Sequence, residues 1–163
     1  MSDDRLQRAT APAAAATEPG PFRFHHPVEV RFRDLDPMGH AHHAMPLIYL
    51  EEARAAYWRD VVGRAGLAGI DYVMAEVTVR YHGRIEFPAA LRVSLRTSRI
   101  GEKSFVQEFE VRAPDGALLA SGRTTQVMYD YGRSASKAMP AELRSRIEAF
   151  EGASLSARSP QGS

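Results

Sequence analysis

Between Arg31 and Met45 the chain reads RFRDLDPMGHAHHAM, which holds two aspartates, a proline, a glycine and three histidines. Carboxylates and imidazoles at this density can do several kinds of chemistry. Together they can ligate a metal. A carboxylate can take a proton from water or attack a carbonyl itself, and an imidazole can orient either one or protonate a leaving group. The bland alternative is a polar turn, because an aspartate before proline, as at Asp36–Pro37, is an ordinary turn signal. Metal binding suits the spacing poorly. The neighbouring His42 and His43 do not aim at one ion, and the chain has no H-E-x-x-H helical pair. No metal ligand is therefore assigned.

The flanking elements decide where these groups stand. Upstream, HPVEVRFR alternates Val28, Val30 and Phe32 with Glu29, Arg31 and Arg33, the pattern of a half-buried strand. Downstream, Met45 to Gly66 predicts a helix of about 18–20 residues, roughly 27–30 Å long. Its expected apolar stripe is Ala44, Ile48, Ala55, Trp58 and Val62, widened by Leu47, Leu50, Tyr57 and Val61, so other elements should wrap it. Pro46 suits the first turn, where its missing N–H would have no helical partner. The loop therefore delivers its side chains to a helix N-terminus, with its free N–H groups and the positive end of the helix dipole.

Four further strand-like runs follow: DYVMAEVTVRY, LRVSLRT, SFVQEFEVR and LLASGRTTQVMYD. In the first, Val73, Ala75, Val77, Val79 and Tyr81 are expected on one face. Turns at Gly101–Lys103 and Pro114–Gly116 are short enough for antiparallel hairpins. MPAELRSRIEAF then predicts a last helix with Leu143, Ile147 and Phe150 as its stripe. Strand, long helix, four strands and short helix define an α+β single domain, one antiparallel sheet curved around a central helix. A single sheet leaves edges to cover, so a homodimer is expected, or a homotetramer built from such pairs.

Bulk properties narrow the function. The chain has 163 residues and no cysteine, which excludes disulfides, thiolate-ligated metals and thiol nucleophiles and suits a cytoplasmic location. Formal net charge is +1, so neither nucleic acid nor a membrane surface is an expected partner. Residues 1–21 read as a disordered leader, 22–150 as the folded domain and 151–163 as a disordered tail.

Three segments carry a resemblance. VRFRDLDPMGHAHHAMPLIYLEEAR is similar to a pattern with a D-x-D pair, a Gly-containing turn, a short polar run and a helix containing E-E-A-R. KSFVQEFEV and the connector GRSASKAMPAEL match the same pattern further on. The chain resembles hotdog-fold acyl-CoA thioesterases of the 4-hydroxybenzoyl-CoA thioesterase family over Phe22 to Phe150. The resemblance implies hydrolysis of an acyl-CoA or acyl-carrier-protein thioester to the carboxylic acid and free thiol. It requires no cofactor, because the CoA moiety belongs to the substrate. Asp36 matches the catalytic carboxylate, as nucleophile or base. The backbone N–H at His43 matches the oxyanion donor, with Ala44 beside it. The His43 side chain stands where some short-chain relatives carry a catalytic His. Lys103 and Ser104 match a turn that contacts CoA phosphates, although Gly101 and Glu102 replace further basic residues there. H-A-H-H stands where other relatives read H-V-N-N, and FPA stands where they often read Y-G-D.

The remaining polar residues have simpler readings. Asp34 suits a hydrogen bond to the loop backbone, and His40 suits bracing the turn. His42 is expected near the dimer interface or acyl pocket. Glu51 and Glu52 are expected to pair with Arg54 or Arg80, the alternative being a catalytic acid on the helix. Two other activities remain compatible with such a chain: non-catalytic acyl-CoA binding, and dehydration of a 3-hydroxyacyl thioester.

Overall fold

The computed structural model describes residues 21–156; the expected leader up to residue 20 and residues 157–163 of the expected tail lie outside the described residues. In chain order the elements are β1 (Phe24–Glu29), α1 (Met45–Asp60), β2 (Tyr72–Tyr81), β3 (Ala90–Ile100), β4 (Ser104–Arg112), β5 (Leu118–Asp130), β6 (Ala135–Ser136) and α2 (Ala141–Glu151). The sheet order is β1-β3-β4-β5-β2, antiparallel throughout, with β6 added alongside β5. This is the expected α+β architecture, an antiparallel sheet with α1 against one face.

Small residues let α1 approach that face. Ala53 and Ala56 are buried at its centre, flanked by buried Tyr49, Leu50, Tyr57 and Trp58. The Trp58 ring stacks on Phe105 with centroids 5.4 Å apart, and Tyr57 meets Phe24 edge-on at 5.3 Å. Each large apolar side chain buried this way contributes about 1.5–3 kcal/mol. The buried stripe is rotated from the expected one. Ala44 and Ala55 are exposed and Ile48 is 45% exposed, so one face of α1 stays open instead of being wrapped. Leu50, Tyr57, Trp58 and Val62 are buried as expected. The rest of the buried surface comes from Tyr49, Ala53 and Ala56, which fit closest to the sheet. The helix also ends at Asp60, before Gly63 and Gly66, which take left-handed φ of 78° and 74°.

Two strand readings change as well. The alternating pattern breaks after Val30, and Phe32–Asp34 form a 3-10 turn. That turn leaves Phe32 78% exposed and buries Asp34. In β2 a bulge lies between Met74 and Glu76. The extra residue, Ala75, reverses the alternation. Tyr72 and Met74 therefore share the α1 side of the sheet with Val77 and Val79, opposite buried Met128, Gln126 and Thr124. Val73 and Ala75 fall on the other face. β2 is an edge strand, and it leaves Met74, Val77 and Tyr81 exposed.

α2 closes over the end of β3. Gly152 ends it at φ 71°, the left-handed C-terminal conformation. Residues 152–156, which the sequence places in the tail, return along the sheet: the Ile100 N–H donates to the Leu155 carbonyl at 2.8 Å. Glu151 is drawn inward. Its Oε1 accepts from the Tyr57 hydroxyl at 2.7 Å and from the Thr97 N–H at 2.8 Å. Further hydrogen bonds run from Gln107 to Thr97 and from Gln126 to Gln107 and Thr124, all buried beneath α1.

Burial raises the Glu151 carboxyl above its ordinary range, against the lowering effect of the Thr97 N–H and the Tyr57 hydroxyl. A carboxyl raised on folding binds its proton more tightly in the folded state than in the unfolded chain. Its contribution to stability is present below the ordinary carboxylate range and is lost as pH rises through the raised value. Thermal unfolding across pH 4 to 8 is therefore expected to show this loss in the native chain and a weaker one in Glu151→Gln.

Candidate active site

The loop between β1 and α1 is built on a buried carboxylate. Asp34 is 5% exposed. Its Oδ2 accepts from the Arg31 N–H and from the Tyr49 hydroxyl, both at 2.8 Å, and its carbonyl accepts from the His42 N–H at 2.8 Å. Tyr49 is held well above the ordinary phenol range, first by burial and then by the Asp34 carboxylate, so it stays a donor. One residue pair thus ties the second turn of α1 to both ends of the loop.

Asp36 opens a β-turn. Gly39 N–H donates to its carbonyl at 3.0 Å, Pro37 holds the second position, and Gly39 has φ 82°. The Asp36 N–H donates to the His40 carbonyl at 2.8 Å. Its side-chain Oδ1 accepts from the Met38 N–H at 2.8 Å and, more weakly, from the His40 N–H at 3.4 Å. The turn-capping role is real, and it uses one oxygen. Oδ2 engages no donor among the described residues.

The start of α1 is satisfied by backbone and by one imidazole. Met45 N–H donates to the His42 carbonyl at 2.8 Å and Leu47 N–H to the Ala44 carbonyl at 3.1 Å. Ala44 N–H donates to His42 Nδ1 at 3.2 Å, which requires that nitrogen to be unprotonated. Pro46 has no N–H. The His43 N–H meets no acceptor among the described residues. Its carbonyl accepts from the Tyr81 hydroxyl at 2.6 Å. The first turn has no acidic residue, and the Ala44 side chain makes no cap. The His42 and His43 rings lie 3.9 Å apart, tilted by 35°.

Asp36, His43 and Ala44 therefore share one loop, as the sequence implies. Lys103 and Ser104 do not join them. They lie at the β3–β4 turn beside Phe105, which stacks on Trp58 near the far end of α1. A helix of 16 residues separates its ends by about 24 Å. His40 braces the turn and reaches Arg84 at 3.3 Å. Among the described residues neither Glu51 nor Glu52 forms an ion pair with Arg54 or Arg80. Glu51 is exposed. Glu52 lines a cavity of about 240 Å³ with Asp34, Tyr49, Met45, Ile48 and Arg33. Among the described residues no three His, Asp or Glu side chains converge to hold a metal ion. Tyr49 and Tyr81 are the site residues that sequence reading missed. Tyrosines among buried or sheet positions carry a signal, since a hydroxyl near an interior needs a partner, but not which partner.

An antiparallel sheet with one long helix against its face, entered through the Asp36 loop, is a hotdog fold. Residues 30–147 match the Thioesterase-like superfamily, and the chain belongs to it. A thioesterase from Thermus thermophilus, solved in complex with coenzyme A and Zn, is 32% identical with a TM-score of 0.72, over 80% of this chain and 96% of that one. A thioesterase-superfamily structure from Jannaschia sp. CCS1 has the same fold, with a TM-score of 0.74 at 24% identity over 85% and 89% of the two chains. YsmA of Bacillus subtilis (strain 168), itself uncharacterized, is 26% identical over 106 residues, 65% of this chain and 72% of its own.

Removing the Tyr49 hydroxyl strips the buried Asp34 carboxyl of a donor. Tyr49→Phe is expected to lower stability by about 1–3 kcal/mol, read as a lower urea midpoint at unchanged slope.

Proposed function

We propose that this chain hydrolyses acyl-CoA thioesters to the carboxylic acid and CoA thiol, with Asp36 as the catalytic carboxylate and the His43 N–H as oxyanion donor. The observation that carries the reading is that two groups on one loop, Asp36 Oδ2 and the His43 N–H, are unengaged among the described residues just ahead of the α1 N-terminus. A thioester carbonyl seated there meets a base or nucleophile and a donor for the negative charge that develops on its oxygen. In the base route Asp36 takes a proton from water and the hydroxyl adds to the carbonyl carbon. The tetrahedral intermediate then collapses, breaking the C–S bond, and the departing thiolate takes up the proton. In the nucleophilic route the Asp36 oxygen adds instead, the C–S bond breaks to release the thiolate, and water then cleaves the resulting anhydride, freeing the acid and restoring the Asp36 carboxylate while its released proton goes to the thiolate. The Ala44 N–H is already engaged by His42, which leaves His43 as the donor of choice. The His43 imidazole stands beside the same position, where it serves to orient water or protonate the thiolate. The coenzyme A in the Thermus relative supports CoA as the thiol carrier, with a carrier protein as the other source of the same pantetheine thioester.

The working form is a homodimer paired antiparallel along the free edge of β2. That edge leaves backbone groups unpaired and exposes Met74, Val77 and Tyr81. β2 runs from the Lys103 end of α1 to the His43 end. Antiparallel pairing therefore brings Lys103 of the partner subunit toward this chain's Asp36 loop, where Lys103 and Ser104 can meet the CoA phosphates.

Thiol release from a panel of acyl-CoAs tests the activity. Asp36→Asn is expected to retain binding while losing about 10²–10⁴-fold in turnover. Binding of CoA esters without thiol release from any of them would leave a binding protein instead, and equal turnover in the Asn variant would remove Asp36. Light scattering tests the assembly: the native chain is expected at twice the monomer mass and Val77→Asp at the monomer mass, because the charge would sit at the paired edge.

A further inference from the structure

We propose that Tyr81 is a positioning residue for this chemistry, its hydroxyl fixing the His43–Ala44 peptide that adjoins the one carrying the His43 N–H; the inference rests on the hydrolase reading above. Each peptide unit is planar, so holding its carbonyl also sets the direction of its N–H. Two consecutive units meet at the His43 Cα. The carbonyl of the first, His42–His43, accepts from the Met45 N–H at 2.8 Å, which turns the His43 N–H away from the helix interior. The second, His43–Ala44, is held at both ends: its N–H by His42 Nδ1 at 3.2 Å and its carbonyl by the Tyr81 hydroxyl at 2.6 Å. With both planes held, the two soft dihedrals at His43 are restrained from both sides.

The local loop supplies every one of these contacts except that of Tyr81. This hydroxyl comes from 38 residues further on, at the last position of β2. Tyr81 is 52% exposed, so the ring adds little to the core. Its backbone is fixed by pairing with Ala120, which is fully buried on the interior strand β5. Among the described residues, the sheet thus reaches across to the loop's His43 carbonyl through this hydrogen bond. Oxyanion donors act by being aligned before the charge develops. A misplacement near 1 Å costs about a hundredfold in rate.

Tyr81→Phe separates positioning from folding. Expected results are a kcat lower by about ten- to a hundredfold, with KM and the unfolding midpoint unchanged. In protein labelled with carbonyl-¹³C histidine, the His43 carbonyl signal is expected to move upfield on loss of the hydroxyl. A native enzyme that hydrolyses acyl-CoA, with Tyr81→Phe matching its kcat or leaving the His43 signal in place, would overturn the positioning role alone. A native chain that releases no thiol from any acyl-CoA would overturn the hydrolase reading and this role with it.

Discussion

Everything at the site depends on how closely α1 lies against the sheet. Ala53 and Ala56 face the strands with almost no exposed surface, and on either side of them Tyr49 and Tyr57 reach past the helix to polar partners. A larger residue at either alanine would lift the helix and lengthen both hydroxyl contacts. Close-packed interiors respond to even one methylene. The helix is thus seated by its smallest side chains and aligned by its two buried tyrosines. Tyr49 fixes the end that faces the Asp36 loop, and Tyr57 fixes the end that faces α2.

The N-terminus of α1 shows a conflict between stability and chemistry. A Ser, Thr, Asp or Asn at the cap would satisfy a free N–H and typically add about 1 kcal/mol. Ala44 occupies that position without a side-chain bond, and no acid lies in the first turn. The loop meets most of the demand with its own carbonyls and the His42 imidazole. The donor left over, at His43, faces away from those contacts. Sites where local rules are broken while neighbouring groups compensate are where function is expected. The buried Asp34 supplies that compensation here, binding the loop through side chain and backbone together.

β2 carries a second conflict. It exposes Met74, Val77 and Tyr81 along one strand, and it has a free edge. Natural sheets blunt such edges with charges, proline or a cover. The opposite edge does this: β1 is short and carries Pro27. β2 keeps Met74 and Val77 open instead, and the bulge at Ala75 sets which side chains face the helix side of the sheet. An edge left open in this way has backbone groups available for strand pairing. The residue that ends it is also the one that holds the His43 carbonyl.

The sequence by itself determined the elements and the loop. Alternation of apolar and polar residues, with turns at Gly101–Lys103 and Pro114–Gly116, placed the strands, because a period of two is written locally. The D-x-D turn ahead of a proline-started helix placed Asp36 and His43 together for the same reason: a few residues of chain connect them. What only the tertiary structure decided lies across longer separations. The face of α1 that is buried was not legible, since aliphatic residues surround the helix and fit against the sheet chooses among them. The exposure of Phe32 and the reversal at Ala75 follow from one-residue changes of phase that composition does not record. Tyr49 meets Asp34, and Tyr81 meets His43, only when the sheet closes on the helix. Sequence types can say that a hydroxyl needs a partner; which partner it finds depends on the packing of the whole domain.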